Sequence, residues 1–100
     1  MHHDLTCFAC QQSAEKYLKA LLQEAGQVVP RTHDLELLLA LLLPRDAALS
    51  SLRRAASILS PYAVEFRYPG RVANKRQARA ALRHASKVRA AVRERLGLPV

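Results

Sequence analysis

The chain has 100 residues, half of them apolar and only five aromatic, and carries 16 Lys and Arg against 8 Asp and Glu for a formal charge of +8. That length supports one small core, and the apolar fraction argues against a disordered chain. No apolar h-region follows a positive start, and the longest apolar run, Leu37 to Leu43, is far short of the roughly 20 residues of a membrane helix, so a soluble cytoplasmic protein without membrane contact is expected.

Ala and Leu dominate and Trp is absent, a composition that favours helices over strands. Twelve of the sixteen cations are Arg. A basic surface of this kind attracts phosphate groups, in nucleic acid or nucleotides. An acidic protein partner would satisfy it equally well.

The first helix is expected from Asp4 to Ala25, with Asp4 as N-cap and Gly26 just past the C-terminus. Cys7, Cys10, Ala14, Leu18, Leu21 and Ala25 follow the three-and-four spacing of one buried face. Phe8, Gln12, Glu15 and Lys19 fall on its flank, and Glu15 and Lys19 are placed for a helix ion pair. Cys7 and Cys10 form a C-x-x-C near His2 and His3. Zinc would suit that set, but two cysteines on an apolar helix face read more simply as small core residues, so no metal is expected.

Gln27 to Arg31 is a connection punctuated by Pro30. A short helix follows from about Asp34 to Leu43, capped by Thr32 or His33. Its sequence is apolar nearly all round, which predicts burial on most sides. Beside this helix start, His33 sits next to Asp34, a carboxylate able to orient an imidazole. A helix N-terminus also attracts anions. Arg31 and His33 are therefore candidate phosphate contacts, the alternative being that Thr32, His33 and Asp34 only cap the helix.

A third helix is expected from Asp46, with Leu49, Leu52, Ala56, Leu59, Ala63 and Phe66 in one phase across Pro61. That predicts one kinked helix or two collinear pieces, stopped by Tyr68-Pro69-Gly70. Arg67 offers a guanidinium fork and Tyr68 a stacking face, which makes them two further ligand-contact candidates. Pairing of Arg67 with Glu15 or Glu65, and packing of Tyr68 on the core, is the competing structural reading. The last helix is expected from Asn74 to Leu96, closed by Gly97. Ala78, Ala81, Leu82, Ala85, Val88, Val92 and Leu96 form its inner face, and Arg76, Arg79, Arg83 and Lys87 a basic stripe outside.

The segments CFACQQSAEKYLKALL (7–22), THDL (32–35), PYAVEFRYP (61–69) and ARAALRHASKV (78–88) occur in the order and spacing of the HEPN family, which the chain resembles from about residue 4 to 96. The resemblance implies an all-α, up-and-down bundle of three long helices and one short one, filling residues 1–100 as one domain. It also implies a further helix ahead of the first one here, either missing from this protein or lost with a truncated start, without which part of the first helix's apolar face is uncovered. A homodimer, or a helix borrowed from a partner, is the expected consequence.

The resemblance further implies nucleotide binding, without a cofactor, beside a minimal nucleotidyltransferase in a toxin–antitoxin-like module. This chain would be the nucleotide- or RNA-phosphate-binding subunit. A second branch of the family implies a metal-independent ribonuclease with Arg, four to six residues, then His, acting across a dimer. Arg79 and His84 have that spacing, although chance supplies about one such match in a chain this rich in Arg. Within a regular helix the two side chains point about 140° apart, so they would meet only groups of a second chain. A purely structural dimerisation module is the third possibility.

Overall fold

The computed structural model describes residues 3–64 and 72–100. The first apolar phase forms α1 (His3–Glu24), whose Cys7, Cys10, Ala14, Leu18, Leu21 and Leu22 are buried, while Ala25 lies half-buried beyond its end. Asp4 lies inside the first turn of α1 rather than at its cap. Its Oδ1 accepts the N–H of Ala73, which ties the start of α1 to the start of the last helix. Gly26 ends α1 at φ +74°. Gln27 N–H reaches the Leu22 carbonyl and Gly26 N–H the Gln23 carbonyl, both at 3.0 Å, the paired bonds of a Schellman motif.

The short helix is α2 (Leu35–Leu42), and its cap is Asp34 rather than Thr32 or His33. Asp34 Oδ1 accepts the N–H groups of Glu36 at 3.0 Å and Leu37 at 3.2 Å, while Thr32 Oγ1 accepts the Asp34 N–H. Leu35, Leu38, Leu39 and Leu42 are buried, but Leu37 and Leu41 stand 43% and 37% exposed. The expected burial on most sides fails because α2 packs against α1 and the third helical segment only. Eight residues with neighbours on one side cover one face.

The third phase is carried by α3 (Arg53–Leu59), preceded by a 3₁₀ segment, Ala47–Leu52, and followed by another, Ser60–Ala63. The stretch is broken into consecutive pieces, one of the two expected alternatives, but into three, with 3₁₀ turns at both ends. Pro61 lacks an N–H and sits at the start of the second 3₁₀ segment, where none is needed. The apolar phase survives, with Leu49, Leu52, Ala56, Leu59 and Ala63 all buried. Asp46 makes no side-chain cap bond; its Oδ2 instead lies 2.5 Å from Arg95 Nε, and the guanidinium holds its carboxyl below the usual range. Phe66 and the expected stop at Tyr68-Pro69-Gly70 lie outside the described residues.

The last helix, α4 (Lys75–Arg95), opens with a capping box. Asn74 Oδ1 accepts Gln77 N–H at 2.8 Å, and Gln77 Oε1 accepts Asn74 N–H at 2.9 Å. Ala78, Ala81, Ala85, Val88 and Val92 are buried, whereas Leu82 is 51% exposed. One residue past Ala81, Leu82 is turned about 100° off the buried line. Helix α4 packs along α1 more extensively than any other pair. Small residues on both buried faces, Ala14 on α1 and Ala78, Ala81 and Ala85 on α4, suit a close approach. The architecture is an all-α bundle with its core between these two helices and the α2–α3 side.

Candidate functional site

Gln11, Glu15 and Lys19 succeed one another at four-residue steps on α1, next to the loop that enters α2. Gln11 is fully buried and Glu15 nearly so. A buried carboxylate is costly unless it is paired and hydrogen-bonded, and Glu15 is both. Its Oε2 lies 3.1 Å from Lys19 Nζ, its Oε1 accepts from Gln11 Nε2 at 3.2 Å, and the same Oε1 lies 2.7 Å from His33 Nδ1. Gln11 Nε2 also donates to the His33 carbonyl at 2.9 Å, fixing the loop backbone as well as the ring. Burial by itself raises the Glu15 carboxyl, but hydrogen bonds from His33, Lys19 and Gln11 outweigh it and hold the group below its usual range. Among the described residues, every buried side-chain polar atom has a hydrogen-bond partner.

An ionised carboxylate only accepts, so His33 must carry a proton on Nδ1. The side chain is 67% exposed, and no described residue bonds its Nε2. In the neutral ring that nitrogen is an acceptor; in the cation it is a donor. The carboxylate that orients His33 is thus Glu15, 18 positions earlier, and not the adjacent Asp34, whose Oδ1 is committed to the cap.

Arg31 is exposed on the same loop. The expectation that the α2 N-terminus offers free N–H groups to an anion is not met. Leu35 N–H donates to Ser60 Oγ at 3.0 Å, and Asp34 takes those of Glu36 and Leu37. What the loop presents outward is the pair of side chains, Arg31 and His33. Arg67 and Tyr68, the other two ligand-contact candidates, lie outside the described residues.

Arg79 and His84 both fall on α4, Arg79 exposed and His84 half-buried. Burial, then the charges of Arg54, Arg83 and Lys87, pushes the His84 imidazole below its ordinary value. Arg76, Arg79, Arg83 and Lys87 are all exposed, as the stripe pattern predicts.

Cys7 and Cys10 are buried free thiols, and burial raises both above the ordinary thiol value. Both thiols are part of the core, as their place on the apolar face of α1 predicts. Among the described residues no three His, Cys, Asp or Glu side chains gather as a metal site, and no helix is long and apolar enough to cross a membrane.

Sequence reading missed Gln11 altogether and gave Glu15 only its ion pair with Lys19, which is present, and not its place in the core. The signal was present: Gln11 lies four residues after Cys7 and three before Ala14, on the buried line itself. The family model described as HEPN domain matches residues 1–95 of the chain. No curated protein and no solved structure matches it.

Proposed function

The chain belongs to the HEPN family, and on that premise we propose that it is a nucleotide- or RNA-phosphate-binding subunit working beside a separately encoded minimal nucleotidyltransferase, in a toxin–antitoxin-like module. The observation that supports this most is the held imidazole. A buried Glu15, braced by Gln11 and Lys19, spends its hydrogen bond on orienting an exposed ring. A side chain fixed that way loses little freedom when a ligand arrives. His33 and Arg31 on the loop contact the phosphate, Arg67 and Tyr68 complete the contact set, and the cations of α4 attract the ligand from a distance. Self-association belongs to the same reading, for which exposed Leu37 and Leu41 on α2 offer apolar surface.

Fluorescence anisotropy with a short single-stranded RNA and with ATP tests the reading. Binding at about 50 mM salt that falls steeply as salt rises is expected, together with weakening in Arg31→Ala and His33→Gln. Binding that ignores salt, or none at all at low salt, sinks it.

A ribonuclease reading is supported by one observation, a half-buried His84 set among the cations Arg54, Arg83 and Lys87, which with burial hold its imidazole below the ordinary value. A neutral imidazole is fit to take the proton of a 2′-hydroxyl, and nearby cations to hold the phosphate. Cleavage of RNA in excess EDTA that disappears in His84→Ala would establish it. Cleavage that survives both His84→Ala and His33→Ala would exclude these residues.

A further inference from the structure

Alongside the contact between α1 and α4, one side of the bundle carries an open groove. Two concavities of about 320 and 330 Å³ share Ser13; the first lies between α1 and α4, and the second continues along α1 alone. The floor is made of small residues, chiefly Ala9, Ser13 and Ala20 on α1 and Ala85 on α4. Leu82 borders it at 51% exposure, the leucine that helical phase alone assigns to the core. From Thr6 to Ala20 the groove follows α1 for about 21 Å, roughly four helical turns. A shallow stripe of small side chains along one face of α1, bordered over its first half by α4, offers a third helix a close approach.

The rim has one sign of charge. Lys16 and Arg89 line the groove, and Arg93 stands beside Tyr17, its Nη1 3.5 Å from the phenol oxygen. Arg93, with Arg89 behind it, holds that phenol below its usual value. Among the described lining residues none is acidic. A second copy of this chain fits poorly, because a two-fold contact repeats the same patch and sets a cationic rim without an acid against another of the same sign.

We propose that the groove docks an amphipathic α-helix of another protein, about four turns long, with small and apolar residues on its docking face and Asp or Glu along both flanks. This does not depend on the phosphate-binding reading, since Arg31 and His33 are not among the groove residues.

The test is an NMR titration of the ¹⁵N-labelled full chain with two synthetic helical peptides. Both carry the same Ala/Leu docking face; one has Glu flanks and the other Lys flanks. The Glu peptide should shift the amide signals of Ala9, Ser13, Ala20, Leu82 and Ala85 and bind about tenfold more tightly at low salt. The double variant Lys16→Glu, Arg89→Glu, with both positions at the rim, should reverse the preference while leaving the far-UV spectrum unchanged. Equal affinity for the two peptides, shifts confined to another face, or no binding would overturn the proposal. Groove signals that move with protein concentration alone would overturn it too, by giving the groove to a second copy.

Discussion

Glu15 Oε1 lies 2.7 Å from His33 Nδ1, joining a buried acid in the middle of α1 to an exposed base on the loop before α2. The pair gives the loop a fixed side chain without burying it. It also gives the core a charge that must stay ionised to keep its three donors. Both consequences can be measured.

Replacing Glu15 by Gln should cost about 2 kcal/mol at neutral pH, the scale of charged hydrogen bonds lost in a buried site. The folded carboxyl is held below its unfolded value near 4.5. Its contribution is therefore fully present above pH 4.5 and is lost as pH falls through the lowered folded value. Wild type and Glu15→Gln should differ in thermal midpoint at pH 7 and converge toward pH 3. A difference independent of pH would contradict the ionised state of Glu15.

Arg31→Ala should reduce the slope of log affinity for RNA against log salt by about one. Stability should change by less than about 0.5 kcal/mol, since the side chain is exposed. His33→Gln should likewise remove more binding than stability, because the ring rather than Glu15 is what faces out. Chemical denaturation alongside anisotropy separates the two effects.

Leu82 and Leu22 are equal in chemistry and opposite in position. Leu22→Ala should cost about 2–5 kcal/mol, because that side chain is fully buried. Leu82→Ala should stay within about 0.5 kcal/mol in the free protein, because half of that side chain already meets solvent. Urea midpoints decide it. A large loss at Leu82 would mean that the groove is occupied by the chain itself.

Cys7 and Cys10 should resist thiol reagents in the folded protein and react together on unfolding. Both are buried, and burial disfavours the reactive thiolate. Titration with a chromogenic disulfide in and out of denaturant measures this. Rapid reaction of the native protein would contradict the core assignment.

Gly26→Ala should cost about 1 kcal/mol and lower the melting temperature by about 4–8 °C. An added Cβ meets nothing within 4 Å, so the whole effect is the strain of φ +74° at the helix end. Gly97→Ala, at φ +73° with the same paired bonds to Glu94 and Arg93, should behave alike.

Local signals were legible where the governing physics is local. The apolar phase of α1, the glycine ends at Gly26 and Gly97, the stop after Leu43 and the basic stripe on α4 all depend on residues a few positions apart. The helix count and the family followed from the order of such segments. Phase alone misplaced Leu82, because a helix has edges that only a neighbour can cover or leave open. The 3₁₀ segments on either side of α3 escaped phase for a related reason, since the periodicity of Leu49 to Ala63 is kept equally well by 3₁₀ and α turns.

The sequence by itself determined that this chain is an all-α bundle of the HEPN family, with its cysteines inside and its arginines outside. It placed Arg31 and His33 on one loop and left open what oriented them. Only the tertiary structure decided that Glu15 and Gln11 turn inward to hold His33, that Ser60 takes the first N–H of α2, and that Leu82 and Arg89 of α4 border a groove along α1. Each of these depends on two segments brought together across many residues of chain, and no window of local sequence contains both partners.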